Sequence, residues 1–347
     1  MPKLRVASIN GEWMNSWFTA DGTPAAFLPT FKLPGESQSN STAKTTARLA
    51  AVIRAINPDI LGLQEAPSRQ EELDLFITTH LTGPSGPLYS AILGDSGGAQ
   101  KLGLLYKPSK VSASLAPSTA LHTLLDPWSA DVDGDMMIEP YEFTRNPLVV
   151  NIQAGSNPFQ VIVMHTKSNF VNQGQAMWED PARRQEYVVA ALKARRRNAT
   201  EGMRARKYME EQIAAGTTVR IILMGDLNDG PGMDYFEEKY LAHNVTDILV
   251  GSAFEPELVF KHAQHDVPRA QRFSAQFDDF VENVNKKKLL LDHILLSPTL
   301  TGNTGLRKVP NSGRIHHAEY MAQVKNGGKK REDRPSDHRP VSVELEY

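Results

Sequence analysis

Val219-Arg220-Ile221-Ile222-Leu223-Met224-Gly225-Asp226-Leu227-Asn228-Asp229-Gly230-Pro231-Gly232 is an apolar run that stops at an acid and then turns away. Val219 to Met224 reads as a buried strand. Asp226 and Asn228 lie two apart, so in extended geometry they face the same way while Leu227 points into the core. Asn-Asp-Gly is also an ordinary turn string. Taken alone, the stretch assigns no role; its meaning depends on what meets it.

Working outward, the same device recurs: a polar residue at the end of an apolar strand. Leu4 to Asn10 alternates and reads as a first strand, with Val6, Ser8, Asn10 and Glu12 on one face. Ile60 to Leu63 delivers Glu65. Val161 to His165 pairs with Val149 to Ile152 and ends in His165-Thr166-Lys167-Ser168, where His165 and Lys167 share a face. Leu289 to Leu296 carries Asp292, while His293 on its opposite face reads as structural. Ser336-Asp337-His338-Arg339-Pro340 follows a charged loop and precedes a last strand, Val341 to Leu345. Tyr89 to Leu93 and Lys101 to Tyr106 read as a further strand pair.

Helical spacing covers Thr45 to Ile56, ending at Asn57-Pro58, and Glu71 to Leu81. Residues 19–43 are rich in Gly, Pro, Ser and Thr and read as a loop. Asp180-Pro181 reads as a helix start, with helical pattern to about Ala215 and a break near Asn198. That stretch is basic (Arg183, Arg184, Lys193, Arg195, Arg196, Arg197, Arg204, Arg206 and Lys207), either a solvated helix face or a phosphate-contacting ridge. The polar strand ends lie near both termini and in the middle, so 1–347 is expected to form one domain with a basic helical insertion at about 170–215.

The 347 residues suffice for a sizeable core. A formal net charge of -2 exerts no global pull on polyanions, so nucleic-acid affinity must come from local basic patches. The absence of cysteine excludes disulfides, thiolate metal sites and cysteine nucleophiles. No apolar run approaches the ~20 residues of a membrane span. No signal peptide is read at the N-terminus, which fits a cytoplasmic protein or a secreted one that has lost its leader.

Phosphodiester hydrolysis needs a cation on the phosphoryl oxygens, an activated water and help for the leaving oxygen. Mg²⁺ or Mn²⁺ takes oxygen ligands and keeps several waters, so one or two carboxylates are enough. Glu65 suits that task, with Asn10, Glu12 and Asp337 as helpers. Asp226 can orient or deprotonate water, and the Asn228 amide can bind a phosphoryl oxygen. His338 beside carboxylates can stay protonated, with Asp292 as its orienting partner. His165 can protonate the leaving oxygen. Lys167 and Ser168 can contact phosphate, and so can Arg145, whose alternative is an ion pair with Glu142.

Together these strings resemble the endonuclease/exonuclease/phosphatase superfamily, the deoxyribonuclease-like metal phosphoesterases. Gly225-Asp226-Leu227-Asn228 and the later Ser336-Asp337-His338-Arg339-Pro340 stand in that family's order, and the resemblance runs over residues 3–347. It implies a four-layered α/β sandwich of two packed mixed β-sheets flanked by helices, with the site at their shared rim. It also implies Glu65 as metal ligand with Asn10 nearby, and Asp337 at the metal. Asp226 and Asn228 would sit at the attacking water and phosphate, His338 would pair with Asp292, and His165 would be the second catalytic histidine. His165-Thr166-Lys167-Ser168, Gly174-Gln175 and Arg184-Gln185 look like bacterial nuclease-type members rather than the abasic-site repair branch. Glu12 stands where an Asp is common, and the 170–215 segment exceeds the minimal fold and is expected to wall the cleft.

The expected activity is therefore a Mg²⁺- or Mn²⁺-dependent phosphodiesterase, chiefly a nuclease. The basic 183–207 stretch and Lys286-Lys287-Lys288 favour nucleic acid, which a steep loss of binding with salt would support. Exposed aromatics around Trp13, Trp17 and Phe18 would instead favour a lipid head group or small phosphoester. An inactive homologue used as a binding module is the rival from another class. Asp131 to Glu142 carries acids at calcium-loop positions, but Met136 replaces the turn glycine, so an acidic loop competes with a structural Ca²⁺. His316-His317, His262 and His265 are expected at the surface.

Overall fold

Each polar strand end belongs to one of two sheets packed face to face. The structure, a computed structural model, describes residues 2–347 except 133–135, 217–218 and 242. Strands β1 (Lys3–Asn10), β2 (Ile60–Ala66), β3 (Ser90–Leu93) and β4 (Lys101–Tyr106) come first along the chain. They are followed by β5 (Ser112–Leu115), β6 (Leu148–Ala154), β7 (Asn157–His165), β8 (Ile221–Asp226) and β9 (Lys261–His262). A hairpin of β10 (Ala275–Asp279) and β11 (Val284–Leu289) then leads to β12 (Asp292–Leu296). Last come β13 (Arg307–Lys308), β14 (Arg314–Ile315) and β15 (Val341–Glu346).

The first sheet runs β13-β15-β1-β2-β4-β3, with β14 also on β15; the second runs β9-β12-β8-β7-β6-β5. Both are mixed: β1 is parallel to β2 and antiparallel to β15, while β8 is parallel to β7 and antiparallel to β12. Period-2 alternation decides what each face buries. On β1, Leu4 and Val6 meet Val161, Val163, Ile222, Met224 and Ile294 of the second sheet. Ala7 and Ile9 face the other way, against Leu49, Val52 and Ile53 of α1 (Thr42–Ile56). The second sheet's outer face, with Ile162, Met164 and Leu223, is covered by Ala205, Tyr208 and Met209. These four layers are the α/β sandwich that the resemblance implied.

Local chemistry explains the element ends. Ser41 caps α1 by accepting the Lys44 N–H, and Asn57 closes it in the left-handed region at φ 52° ahead of Pro58. α2 (Gln70–His80) starts where Glu72 reaches back to the Arg69 N–H. Gly225 has φ 148°, and a Cβ there would lie 1.8 Å from the Met164 carbonyl oxygen of β7. Only glycine lets the two strands approach that closely just before Asp226.

Several expectations are corrected. The 180–215 region does not start its long helix at Pro181. α3 (Gly174–Glu179) precedes a turn, and α4 (Arg184–Ala215) then runs unbroken for 32 residues. Asn198 does not interrupt it, because its buried amide donates to the Leu227 carbonyl at 3.1 Å. Nor is α4 simply an exposed basic ridge. Arg195 pairs with Asp234, Arg206 pairs with Glu210, and Arg204 donates to carbonyls at 122, 124 and 126. Among the nine basic residues, Arg184, Lys193 and Lys207 are the exposed ones.

The expected 289–296 strand is split between β11 and β12, which belong to different sheets. His262 and His316 are buried, not at the surface: His262 Nε2 lies 2.6 Å from His293 Nδ1, and His316 Nε2 lies 2.8 Å from Ser342 Oγ. Trp17 and Phe18 are buried in the core between α1 and the first sheet. The calcium-loop reading rests on Asp133 and Asp135, which lie outside the described residues.

Candidate active site

Register builds the site. Pairing places His165 on β7 opposite Asp226 on β8, and Asp226 opposite Asp292 on β12. Three candidate residues thus stand side by side on neighbouring strands at one rim. Asn10 reaches the same point from the first sheet. Its Nδ2 donates to Asp226 Oδ2 at 3.0 Å and to Glu65 Oε1 at 3.1 Å. Ser336 Oγ donates to the Asn10 carbonyl at 2.7 Å and accepts the His338 N–H at 3.0 Å, which fixes the loop that carries Asp337 and His338.

Asp226 Oδ2 lies between two imidazoles, 3.6 Å from His165 Nε2 and 3.7 Å from His338 Nε2. The two rings differ in charge. His338 Nδ1 is 2.7 Å from Asp292 Oδ2. Burial works against its proton, but the charges of Asp292, Asp226 and Asp337 together hold its pKa well above the ordinary value. His165 is pushed well below, by burial first and then by the charges of Arg145 and His338. Its buried Nδ1 has no hydrogen-bond partner among the described residues. Burial raises Asp226 to about 6 against the pull of His338.

Glu65 sits at an irregularity where the β2–β4 register shifts, with φ 54°. This left-handed turn aims the carboxylate into the rim, a conformation that costs energy for a non-glycine residue. Oε2 accepts the Trp13 N–H and Gln100 Nε2, both at 2.8 Å. Burial, then the charge of Asp337, pushes its pKa up to about 7. Asp337 is about a third exposed (32%) and lies with Oδ1 4.0 Å from His338 Nε2.

Among the described residues no three His, Asp or Glu side chains converge as an ion cage. A hard dication that keeps its waters does not need one. Glu65 and Asp337 put two acids beside each other, among the described residues no Lys or Arg is bonded to Glu65, and the Asn10 amide adjoins them. That donor set fits Mg²⁺ or Mn²⁺.

Glu12 was expected to join this set, but the structure places it elsewhere. Its oxygens are bound by Arg334 and by Arg331 at 3.1 Å, and both Glu12 and Arg331 are fully buried. A carboxylate engaged by two guanidiniums is not available as a ligand. Arg331 also donates to the Gly11 carbonyl at 3.0 Å, which ties the end of β1 to the loop before Asp337.

At the mouth, Asn228 has φ 49°, donates its N–H to Asp226 Oδ1 at 2.9 Å and its Nδ2 to the Thr166 carbonyl at 3.1 Å. Arg145 donates to Gln100 Oε1 at 2.9 Å rather than pairing with Glu142. Lys167 Nζ turns back to the Ser168 carbonyl at 2.9 Å, and Ser168 Oγ accepts the Phe170 N–H at 3.2 Å. Sequence reasoning missed Gln100, which joins Glu65 to Arg145, because Gly-Ala-Gln in a glycine-rich loop carries no signal. It also missed Ser274, whose Oγ accepts the Leu291 and Asp292 N–H groups at 3.0 Å.

The fold and this rim define a phosphoesterase of the two-sheet sandwich type. Residues 15–338 match the Endonuclease/Exonuclease/phosphatase family, and the chain belongs to it. Among solved structures, a humanized D. rerio TDP2 aligns over 99% of both chains at 13% identity with TM-score 0.53. D. rerio TDP2 complexed with single-strand DNA product aligns over 99% of both at 14% identity and TM-score 0.51. An endonuclease/exonuclease/phosphatase from Bacteroides vulgatus aligns over 100% of this chain and 99% of its own, at 14% identity and TM-score 0.51. At these identities the likeness is one of fold. No curated protein matches the sequence. No helix among the described residues is long and apolar enough to cross a membrane.

Proposed function

We propose that this chain is a divalent-metal-dependent phosphodiester hydrolase that cleaves nucleic acid by direct in-line attack of water. The observation that carries the reading is Asp226, one carboxylate between a protonated and a neutral imidazole at the meeting of two sheets. A carboxylate raised to about 6 is matched to take a proton from water near neutral pH. His338, held charged and oriented by Asp292, donates to the phosphoryl oxygens or to the leaving oxygen. His165 has no proton to give near neutral pH, so the acid role expected for it passes to His338. His165 instead positions the water or the leaving group beside Asp226.

Asn10, Glu65 and Asp337 would hold Mg²⁺ or Mn²⁺, which when bound neutralises charge on the phosphoryl group and the leaving oxygen. Glu12 braces this side through Arg331 and Arg334. Arg145, Lys167, Ser168 and Asn228 stand where phosphate would enter. Nucleic acid is the favoured substrate class because, of the aromatics that would have met lipid, Trp17 and Phe18 are buried and Trp13 is half-buried. The fold relative D. rerio TDP2, solved with a single-strand DNA product, supports the same choice.

The test is cleavage of circular single-stranded DNA beside a chromogenic phosphodiester and its monoester, with Mg²⁺, Mn²⁺ or chelator. Metal-dependent nicking that disappears in His338→Ala is the expected result. Turnover of the small esters alone would move the substrate away from nucleic acid. Silence on all three would overturn the catalytic reading and favour a binding module.

A further inference from the structure

Beyond His338 and Asn228 the rim opens into a cavity of about 1240 Å³. The segment around Ser168 to Ala176 forms one wall, and the β10–β11 hairpin forms the other. Small-molecule pockets span about 300–1,000 Å³, so this space exceeds what a small phosphodiester needs. Two phenylalanines face it with their rings uncovered: Phe170 is 75% exposed and Phe277 is 40% exposed. The Phe277 ring lies edge-on to the His338 imidazole, with centroids 6.1 Å apart. It is thus one ring away from the proposed site of cleavage.

Charge decides what kind of strand such a cavity takes. Five Lys or Arg and five Asp or Glu line it, so the lining is balanced. Arg195 and Lys287 are paired with Asp234 and Asp279, while Arg269, Arg272 and Lys288 have no carboxylate partner among the described residues. Duplex binding draws on many cations along the phosphate backbone, and this lining does not supply them. Single strands are bound through rings that stack on bases, a contact indifferent to charge and worth roughly 5- to 150-fold in affinity per base. A duplex keeps the faces of its bases inside its own stack, out of reach of a ring on a cavity wall.

We infer that the cavity holds unpaired nucleotides beside the scissile phosphate, with one base stacked on Phe277 and another on Phe170, so that single strands are preferred to duplex. The inference rests on the nucleic-acid reading proposed above. Phe277 is a specificity residue here, and Arg269 and Lys288 meet a small number of phosphates.

The experiment measures equilibrium binding by fluorescence anisotropy, in chelator, with the full chain. The probes are a short fluorescein-labelled single-stranded deoxyoligonucleotide, its blunt duplex, and inorganic polyphosphate as a competitor without bases. The single strand should bind at least about tenfold tighter than the duplex. Phe277→Ala should weaken single-strand binding at least about fivefold, Phe277→Trp should keep it, and Phe170→Ala, at an exposed position, should also lose affinity. The slope of affinity against salt should be shallow, equivalent to about two or three phosphates. Equal affinity for both forms, no loss in either alanine variant, or displacement by polyphosphate as effective as by unlabelled strand would each overturn the inference. Binding is read without turnover, so an inactive enzyme that keeps its strand preference would break the catalytic reading alone.

Discussion

The two sides of the rim solve opposite electrostatic problems. On the first sheet, Glu65 and Asp337 lie beside each other without a bonded Lys or Arg on Glu65 among the described residues, and the Glu65 carboxyl is pushed up to about 7. On the second sheet, the acids Asp226 and Asp292 share a charged His338. The first side is short of positive charge and the second carries its own. The contrast supports the proposed division, with the cation on the first side and proton transfer on the second. Among the described residues, Asn10 is the one side chain bonded to both Glu65, at 3.1 Å, and Asp226, at 3.0 Å.

The sharpest way to break the contrast is on the proton-handling side. Asp226→Asn or His338→Ala should lower turnover by about 10²–10⁴-fold. The rise in Tm on adding Mg²⁺ should remain, because the ligands proposed for the metal are untouched. Loss of that rise, measured by thermal unfolding with and without Mg²⁺, would merge the two sides into one.

The next effect falls on the brace. Arg331→Met removes one of two guanidiniums from a fully buried Glu12 and leaves Arg334 as its partner, so it should destabilise the fold by about 1–3 kcal/mol. A Glu12→Gln/Arg331→Met double variant should lose at least as much, since Arg334 is then left without its carboxylate. Denaturant midpoints of the single and double variants check it.

On the cation side the sign runs with pH. Glu65 releases its proton at about 7 in the fold against 4.5 for a free side chain. Its folded pKa is raised, so metal-free stability is fully present below 4.5 and declines as pH rises through 7. Added Mg²⁺ should therefore raise Tm more at alkaline than at acid pH. Glu65→Gln should remove both the decline and the metal response. The smallest effect on turnover should come from Gln100→Ala, which frees Glu65 and Arg145 from each other. Two hydrogen bonds are lost, each worth about 0.5–1.5 kcal/mol, so kcat/KM should fall roughly 5- to 150-fold.

The strand ends were readable because alternation and chain turns are local properties. Asn10, Glu65, His165, Asp226, Asp292 and His338 stand where those patterns put polar groups, and the structure brings all six to one rim. Arg331 and Arg334 were hidden in a charge run that reads as a solvated loop. Their burial depends on Glu12, more than three hundred positions away. Asn198 read as a helix breaker because its partner, the Leu227 carbonyl, belongs to another element. His262 read as a surface residue for the same reason, since its partner is His293. The basic helix stayed open between a solvated face and a phosphate-contacting ridge because sequence does not reveal that Arg195, Arg204 and Arg206 turn back onto the protein.

The place of β15 has a consequence for timing. His338 immediately precedes this strand, which pairs with β1 along Lys3 to Ser8 inside the first sheet. His338 reaches Asp226 and Asp292 only once this strand has docked against β1. Assembly of the site therefore waits on the pairing of β15 with β1, a contact between segments more than three hundred positions apart.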